Sequence, residues 1–266
     1  MRERLAVRHS GSFGCPDCRG RLDEQDGALA CARCLISYDD AAGYLDFAPA
    51  VAMKPGLGPF YLQDPLHVPR YESVTRAAFL DVMGQNWRGT LHASDEDSYI
   101  REHLDAADGP VLDVGCGAGR WTKTVCEHVG ADAVIGLDLS AAMLAAIGAA
   151  LPGLCLVRAS ALRLPFLDAA LGAVNCSNAL QLFPDPDLAI AEIGRCLRPG
   201  GCFTAFTFRQ ASRPAYRYFQ LRHEATFNVR AFTPADIATW LDAAGMDLED
   251  LTGPVGALLF TARRRP

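Results

Sequence analysis

A glycine-rich turn is the first feature whose residue types and spacing suggest chemistry. The glycines of Gly115-Cys-Gly-Ala-Gly119 follow the apolar run Pro110–Val114 and precede the helical pattern Arg120–Val129. Because glycine lacks a Cβ, these positions allow a ligand to lie against the backbone. A tight turn between a strand and a helix N-terminus is where open α/β sheets bind ligands. The spacing Gly-x-Gly-x-Gly differs from the dinucleotide-binding pattern Gly-x-Gly-x-x-Gly, so the turn alone predicts only a nucleotide-like ligand.

An acidic residue at the end of the next strand supports this interpretation. The predicted strand Ala133–Leu139 contains Asp138, 25 residues after Asp113. A carboxylate at this place can accept hydrogen bonds from both hydroxyls of a ribose. Met143 lies on the following apolar helix, where a core position and packing against a bound base fit the pattern equally well. Cys116, inside the turn, is interpreted as a small filler rather than a nucleophile.

Four cysteines form a second constellation near the N-terminus. Cys15-Pro-Asp-Cys18 is followed after twelve residues by Cys31-Ala-Arg-Cys34, and two such pairs can bring four thiolates to one tetrahedral zinc ion. Four thiolates leave no coordination position for water, so the predicted zinc is structural. A segment of about forty residues has too little core to fold unaided, which a metal would remedy. Disulfides, which a reducing compartment disfavours, and an iron–sulfur cluster are the alternatives.

Strand and helix patterns alternate over the rest of the chain. Apolar runs predict seven strands, and the last two, Met246–Leu251 and Val255–Ala262, are separated by a three-residue turn. A parallel crossover needs a longer connection, so these two strands are predicted to form an antiparallel hairpin. The predicted fold class is α/β, with a doubly wound, mostly parallel seven-stranded sheet, an antiparallel edge hairpin and a small N-terminal zinc ribbon. The other predicted strands are Pro110–Val114, Ala133–Leu139, Leu154–Val157, Ala170–Ser177 and Gly201–Phe208.

Shifts in composition divide the chain into three parts. We predict a zinc ribbon over residues 10–48, a linker and capping helix over 49–97, and a ligand-binding α/β domain over 98–266. Prolines between residues 49 and 69 argue against regular structure there, whereas residues 70–86 have a helical pattern. Residues 87–97 are polar and predicted to be irregular. The other predicted helices are Ser98–Ala107, Arg120–Val129, Ala141–Ala150, Pro186–Leu197 and Pro234–Ala244.

Charge and hydropathy disfavour several classes of protein. The 266 residues include 25 basic and 31 acidic side chains, a formal net charge of −6, so no global basic field attracts nucleic acid. Residues 1–48 hold six arginines against eight acidic residues, which disfavours a ribbon that binds RNA. The apolar runs are too short to span a bilayer, and the N-terminus lacks the apolar region of a secretory signal. We expect a cytoplasmic protein without a membrane partner, and the oligomeric state stays open.

From about residue 98 onward the chain resembles the class I S-adenosylmethionine-dependent methyltransferases. The first family motif is similar to Leu112-Asp-Val-Gly-Cys-Gly-Ala-Gly119, and the second to Val134-Ile-Gly-Leu-Asp-Leu-Ser140. The third resembles Arg158–Phe166, the fourth resembles Ala173–Leu180, and the stretch that follows them resembles Glu192–Gly201. The resemblance implies that the cofactor is S-adenosylmethionine and that residues 98–266 form a methyltransferase domain.

The resemblance also implies which residues hold the cofactor. In the family, the aspartate at the place of Asp113 lies near the amino-acid moiety, and the side chain at Met143 packs on the adenine. The third motif usually carries an aspartate that accepts the adenine amino group. This chain has Ser160 there, and a hydroxyl is a weaker acceptor than a carboxylate. The full predicted set is Asp113, Gly115, Cys116, Gly117, Gly119, Asp138, Leu139, Met143, Ser160, Ala161, Leu162 and Asn178.

Three hypotheses about function follow from the resemblance. The whole chain resembles ribbon-containing methyltransferases of plants and bacteria and tailoring enzymes of natural-product biosynthesis, which implies O- or C-methylation of a small molecule. The ribbon resembles that of the rRNA guanine-N1 methyltransferases, although those use a histidine where this chain has Cys34; an rRNA base methyltransferase is therefore an alternative. Ser160 motivates a third hypothesis, a cyclase or binding subunit that uses the cofactor without methyl transfer.

The acceptor is expected over the carboxyl ends of the strands. The stretch Arg209–Arg230 is long for a plain connection and is predicted to be a lid. His223 within it is the first choice for a catalytic base, because histidine titrates near neutral pH, and a solvated surface residue is the alternative. The predicted substrate pocket consists of Tyr71, Arg76, Gln181, Tyr216 and Tyr218.

Overall fold

An eight-stranded sheet organises the molecule. The structure, a computed structural model, describes residues 8–25, 27–40, 42–48, 62–64, 66–85, 89–106 and 108–266. The strands of this sheet are β4 Leu45–Asp46, β5 Val111–Val114, β6 Val134–Asp138, β7 Cys155–Arg158, β8 Leu171–Ser177, β9 Leu197–Phe208, β10 Met246–Thr252 and β11 Ala257–Arg264. Their order is β10-β11-β9-β8-β5-β6-β7-β4. Strands β4 to β9 pair in parallel, and β10 and β11 form an antiparallel hairpin at one edge. The predicted α/β fold class is confirmed.

The eighth strand, β4, comes from the region predicted to be the zinc ribbon, and the sequence did not predict it. Leu45 and Asp46 pair in parallel with Val157 and Arg158 of β7, and the Asp46 carboxylate lies 3.1 Å from the Arg158 guanidinium. A strand of two residues is too short to show a period-2 pattern. The N-terminal region therefore adds a strand to the main sheet.

The remaining strands of the N-terminal region form a small antiparallel sheet of three strands, in the order β1-β2-β3. They are β1 Asp23–Gln25, β2 Ala28–Cys31 and β3 Ile36–Tyr38. Gly27, in the turn between β1 and β2, has a φ of 82°, a conformation that glycine adopts without a steric penalty. We refer to residues 8–48 as the ribbon.

Stacked rings and backbone hydrogen bonds join the ribbon to the α/β domain. Phe13 is fully buried and stacks between Phe166 and Phe47, with ring centroids 5.2 and 5.7 Å away. The N–H of Gly14 donates to the carbonyl of Pro165 at 3.0 Å. The loop that follows β7 is thus held by the ribbon.

Seven α-helices are described. They are α1 Arg76–Val82, α2 Ala93–His103, α3 Arg120–Val129, α4 Ala141–Ala150, α5 Pro186–Cys196, α6 Pro214–Phe227 and α7 Pro234–Ala243. Helices α3 and α4 have the predicted boundaries, and α5 and α7 each end one residue before the predicted position. Within the described ranges, every helix is too short or too polar to cross a bilayer.

Helix α2 corrects the predicted boundary between the linker and the α/β domain. It begins at Ala93, five residues before the predicted start at Ser98, so irregular structure over residues 87–97 is wrong for the last part of that range. The Asp95 carboxylate accepts the N–H of His92 at 2.7 Å and caps the helix. These first residues are polar and add no apolar periodicity, which is why the pattern hid them.

The described residues between 62 and 85 form a segment that we call the cap segment. A π turn, Tyr71–Thr75, leads directly into α1, within the region predicted to be helical. The carbonyl of Leu62 accepts the hydroxyl hydrogen of Ser140 at 2.6 Å, and α1 packs against α6. The cap segment therefore lies over the carboxyl end of the sheet. Residues 49–61 of the predicted linker lie outside the described residues.

Candidate functional site

The glycine turn is shaped by close contacts with the protein itself. Gly115, Gly117 and Gly119 have φ angles of 71°, 53° and 94°, a region that favours glycine. A Cβ on Gly115 would lie 2.4 Å from the Cβ of Ala179, and a Cβ on Gly119 would lie 2.8 Å from Ile147. A Cβ on Gly117 would meet nothing closer than 4.0 Å. The missing Cβ atoms of Gly115 and Gly119 thus allow Ala179 and Ile147 to pack closely against the turn. At Gly117 the backbone is open toward the cavity.

A cavity of about 280 Å³ lies beside this turn. Among its lining residues are nearly all of the predicted cofactor residues: Gly115, Cys116, Gly117, Asp138, Leu139, Met143, Ser160, Ala161, Leu162 and Asn178. The predicted residues Asp113 and Gly119 are not in the lining. The structure therefore brings together side chains from the ends of β6, β7 and β8, as expected for an open parallel sheet.

Asp138 offers a carboxylate to the cavity. Its two oxygens accept the N–H groups of Gly117 at 2.9 Å and of Ser140 at 2.8 Å. Burial raises the pKa of this carboxyl above its usual value. The two N–H groups fix the orientation of the carboxylate, so its remaining lone pairs can receive hydroxyl groups of a ligand.

Asp113, predicted to hold the cofactor, lies beneath the turn and outside the lining of the cavity. It is 2% exposed, and its carboxylate accepts Thr122 Oγ1–H at 2.6 Å and Asn175 Nδ2–H at 2.7 Å. Burial raises its pKa to about 6. The carboxylate ties β5 to α3 and β8, so its effect on the cavity is indirect.

The predicted adenine side of the cavity is formed by Met143 and the loop after β7. Met143 is buried and follows Ser140, whose hydroxyl accepts the N–H of Met143 at 3.2 Å. In the loop, Ser160 Oγ accepts the N–H of Leu162 at 3.2 Å. The Ser160 hydroxyl therefore lines the cavity with its position fixed by the loop backbone.

Among the lining residues that sequence reasoning missed, two lie at the N-terminus of α3. Arg120 and Trp121 both line the cavity, and the Arg120 guanidinium binds both carboxylate oxygens of Asp97 at 2.7 and 2.8 Å. Both directly follow the last glycine at the N-terminus of α3. That position next to the turn was the available signal, since helix N-termini in such folds face the ligand.

A second, narrow space of about 10 Å³, which we call the acceptor chamber, adjoins the cavity beneath the cap segment. Leu62, Tyr71 and Leu182 line both spaces. The chamber is further lined by Thr75, Phe79, Gln181 and Phe227. Its walls are thus largely apolar and aromatic, which suits a planar or apolar molecule.

Polar groups of the chamber lie where it meets the cavity. The Asn178 amide donates to the Tyr71 hydroxyl at 3.5 Å. Gln181 is buried and donates to the Asn178 carbonyl at 2.8 Å, while its own carbonyl accepts the Thr207 hydroxyl at 3.1 Å. The structure thus brings the predicted substrate residues Tyr71 and Gln181 to the site.

Arg76, predicted for the substrate pocket, lies in an ion pair outside the linings of the cavity and the acceptor chamber. Its guanidinium is buried and binds both oxygens of Glu96 at 2.5 and 2.6 Å. Trp121 Nε1–H donates to the same carboxylate at 2.7 Å. Burial raises the pKa of Glu96 to about 7, against the lowering effect of Arg76. Because these partners are distant in sequence, the pattern alone did not reveal the ion pair.

The predicted lid forms helix α6, but its candidate residues do not line the cavity or the acceptor chamber. The His223 ring packs against Phe79 and Phe227, with centroids 4.7 and 4.4 Å away, and burial lowers its pKa. Tyr216 lies near the Arg213 guanidinium, and Tyr218 is 60% exposed. The structure thus places the candidate base His223 and the predicted substrate residues Tyr216 and Tyr218 outside these two linings, and their roles stay predictions.

The four ribbon cysteines meet in one cluster. The Sγ atoms of Cys15, Cys18, Cys31 and Cys34 all lie within 4.8 Å of one another, and those of Cys18 and Cys31 are 3.5 Å apart. Zn–S bonds of about 2.3 Å in a tetrahedron separate the sulfurs by about 3.8 Å. The donor set and its spacing fit zinc.

The two Cys-x-x-Cys pairs have nearly the same backbone conformation. The N–H of Arg19 donates to the Cys15 carbonyl at 2.7 Å, and the N–H of Leu35 donates to the Cys31 carbonyl at 2.9 Å. Arg19 and Leu35 have φ angles of 58° and 57°, which is uncommon for residues other than glycine. The Cys34 N–H points to Cys31 Sγ at 3.3 Å. Two equivalent turns are what a metal site shared by both pairs requires.

Known proteins are similar to this chain in the region that forms the site. A family model described as a methyltransferase domain matches residues 111–201. An uncharacterized chloroplastic methyltransferase of Arabidopsis thaliana is 33% identical over 195 residues, which is 68% of this chain and 53% of the relative. A ubiquinone biosynthesis O-methyltransferase of Xanthomonas oryzae pv. oryzae is 31% identical over 170 residues, which is 58% of this chain and 70% of the relative. The chain thus spans about half the length of the first relative.

A solved structure shares the fold. The geranyl diphosphate C-methyltransferase from Streptomyces coelicolor A3(2), in complex with S-adenosyl-L-homocysteine, superposes with a TM-score of 0.57 at 16% identity. The match covers 64% of this chain and 76% of that chain. At this identity the likeness shows the fold alone, whereas the region matched by the family model contains the glycine turn, Asp138, Ser160 and Asn178.

Proposed function

Because the chain belongs to the class I S-adenosylmethionine-dependent methyltransferases, we propose that it methylates a small planar molecule bound in the acceptor chamber. The observation that carries this proposal is the adjacency of the two spaces, which share the lining residues Leu62, Tyr71 and Leu182. Because the acceptor chamber measures about 10 Å³, the cap segment has to move outward to admit the acceptor. When bound, the cofactor supplies a methyl group activated on a sulfonium, so the protein mainly positions the acceptor.

The cavity residues fit the cofactor by their chemistry. Asp138 is assigned to the ribose hydroxyls, because its carboxylate is oriented by two N–H groups at the cavity. Met143 and Leu139 are assigned to the adenine ring, and Ser160 to its amino group. Gly117 leaves the backbone open on the cavity side, where a Cβ would have no neighbour within van der Waals distance.

The acceptor is proposed to carry an oxygen or carbon nucleophile on an apolar, ring-shaped body. Phe79, Phe227 and Leu182 provide apolar walls, and the Tyr71 hydroxyl provides a polar group between chamber and cavity. We assign Tyr71 to orientation of the acceptor. His223 is not given this role, because its ring packs on Phe79 and Phe227 and does not line the chamber itself. O- and C-methylation both occur among the related proteins by name, and biosynthetic tailoring remains the predicted setting.

The four-cysteine cluster is proposed to hold one structural zinc ion. The donors are four thiolates with mutual distances compatible with a tetrahedron. They lie in the ribbon rather than at the cavity, so the metal would stabilise the ribbon and take no part in methyl transfer. The reducing, cytoplasmic compartment that favours thiolates over disulfides stays a prediction.

A calorimetric titration with S-adenosylhomocysteine tests the cofactor assignment. Asp138→Asn is expected to weaken binding by about tenfold to a hundredfold, because hydrogen bonds to a charged group contribute about 1.5–3 kcal/mol. Asp187→Asn, at an exposed position on α5, is the matched control and should bind as the wild type does. Failure of the wild type to bind would refute the central proposal.

Transfer of a labelled methyl group tests the acceptor class. We expect methylation of phenols, catechols or quinols and none of ribosomal RNA, consistent with the acidic ribbon. Methylation of RNA but of no small molecule would establish the rRNA alternative. Tight cofactor binding without transfer to either class would favour the hypothesis of a cyclase or binding subunit.

A further inference from the structure

Helix α6 carries polar side chains on its inner face. Gln220 is fully buried, and its amide donates to the carbonyls of Met83 at 3.1 Å and Arg209 at 2.9 Å. Glu224, also on the inner face, binds the Arg217 guanidinium at 2.6 Å. The inner face of α6 is therefore held by hydrogen bonds and an ion pair rather than by apolar packing alone.

The outer face of α6 is aromatic and aliphatic. Tyr218, Phe219 and Leu221 are 60%, 52% and 48% exposed, and the first two rings meet edge-on at 5.6 Å. Val74 of the cap segment is 61% exposed, and Phe219 forms an open depression with Val82 of α1. A helix that faces water on its outer side has polar residues on that side and apolar residues on its inner side. Exposed apolar clusters mark interaction sites.

Positive charge is concentrated in α6 and the residues next to it. Residues 209–230 contain five arginines and one glutamate, in a chain whose formal net charge is −6. Arg213, at the N-terminus of α6, and Arg222, one turn after Tyr218, are both exposed. An anionic surface would attract this face and repel the acidic remainder of the protein, and this asymmetry defines one orientation of binding.

We propose that the outer face of α6 lies on an anionic lipid surface. Tyr218, Phe219 and Leu221 enter the boundary between headgroups and acyl chains, and Arg213 and Arg222 lie among the phosphates. Helices that combine exposed aromatic and aliphatic residues with flanking basic residues bind in this way, and they need no membrane span.

Other occupants match fewer of these features. A second copy of the chain meeting this face through a two-fold axis would set arginine against arginine. A single-stranded nucleic acid would match the arginines and the aromatic rings, but it would leave the aliphatic Leu221 and Val74 without a partner. A lipid surface accommodates all three classes of side chain at once.

This contact would bring the acceptor chamber close to the lipid. Phe227, the last residue of α6, lines the chamber, and the cap segment that roofs the chamber packs on the same helix. An apolar acceptor dissolved in the lipid would then lie against the same helix that borders the chamber. This consequence rests on the proposed function, whereas the lipid contact itself does not.

Co-sedimentation with vesicles tests the proposal. The wild type is expected to bind vesicles of phosphatidylcholine mixed with phosphatidylglycerol, and to bind more weakly as the salt concentration rises. Arg213→Gln/Arg222→Gln should weaken binding by about tenfold, and Tyr218→Ser/Leu221→Ser by at least about tenfold. Leu188→Ser is the matched control, since Leu188 is 52% exposed on α5 and should not matter.

Each contrary outcome has a distinct signature. Absence of vesicle binding, or an equal loss in Leu188→Ser, overturns the proposal. The proposal is also overturned if the protein binds no vesicles but binds RNA or self-associates, and if the α6 variants lose that binding. The outer face of α6 is then assigned to that partner. Titration with S-adenosylhomocysteine shows that each variant is folded. Wild-type protein that binds this ligand but no vesicles refutes the lipid contact alone, whereas loss of ligand binding refutes the proposed function.

Discussion

The cap segment lines the cavity and the ribbon holds a loop that lines it, but the two regions are attached by different kinds of contact. The ribbon adds a strand to the main sheet and inserts the fully buried Phe13 against Phe166. The cap segment pairs with no strand in its described residues; it is held by the buried side chains Phe79, Leu80 and Met83 and by polar contacts such as Arg76 with Glu96. Strand pairing with the main sheet breaks only on unfolding, whereas a helical segment without such pairing can open locally. We therefore expect the ribbon to set cofactor affinity and the cap segment to set access and acceptor binding.

Loss of the metal ligands is the largest expected perturbation. In Cys18→Ser/Cys31→Ser, zinc content should fall from about one per chain to none, and the ribbon should unfold, because structural zinc sites supply much of the folding free energy of such modules. The loop that carries Ser160 then loses its support, so the dissociation constant for S-adenosylhomocysteine should rise by about tenfold or more. Metal analysis and calorimetry measure the two effects.

A cysteine outside the cluster provides the control for this prediction. Cys126, half-buried on α3, can be replaced by serine and should leave both zinc content and ligand affinity near wild-type values. If the double variant loses zinc yet binds S-adenosylhomocysteine normally, the ribbon does not brace the cavity, and the contrast between the two regions fails.

Breaking the ion pair of the cap segment is expected to have the next largest effect. Arg76→Ala leaves the Glu96 carboxylate buried without its cation, which costs about 3–5 kcal/mol of unfolding free energy. Urea unfolding near neutral pH measures the loss. Arg76→Ala/Glu96→Gln should recover part of it, because the buried charge is removed as well. Equal stability of the single variant and the wild type would show that this contact does not hold the cap segment.

The pH dependence of the same variant gives a sharper test. Burial raises the pKa of Glu96 to about 7 in the folded protein, above about 4.3 in the unfolded chain. The folded state then binds more protons between these values, so the contribution of Glu96 to the unfolding free energy falls as the pH rises from about 4 to about 7. Arg76→Ala raises this pKa further and should extend the fall to higher pH, and Glu96→Gln should abolish it.

The same contrast explains what the sequence could predict. The glycine turn and Asp138 were predictable because their function depends on neighbours in the chain and on the end of a strand. Arg76 and His223 were assigned to the site from residue type, but their positions depend on partners far along the chain, such as Glu96 for Arg76. The short strand β4 was missed because the partner strand, not its own pattern, stabilises it.

A smaller perturbation of the ribbon separates packing from metal binding. Phe13→Leu keeps an apolar side chain but loses ring stacking on Phe166, which should cost about 1–2 kcal/mol of unfolding free energy. Zinc content should stay at about one per chain, and affinity for S-adenosylhomocysteine should fall by about threefold. Ile36→Val, at an exposed ribbon position, is the control. Unchanged ligand affinity in a destabilised Phe13→Leu would assign Phe13 to stability alone.

The smallest expected effect concerns the polar edge of the acceptor chamber. Tyr71→Phe keeps the ring that lines both spaces and removes only the hydroxyl that accepts from Asn178. The KM for the acceptor should rise by about fivefold, as expected for one neutral hydrogen bond of about 1 kcal/mol, while affinity for S-adenosylhomocysteine stays within about twofold. Tyr218→Phe, on the outer face of α6, should change neither value. A loss of cofactor affinity as large as the rise in KM would mean that the cap segment, like the ribbon, acts on the cofactor, and the division of roles between the two regions would not hold.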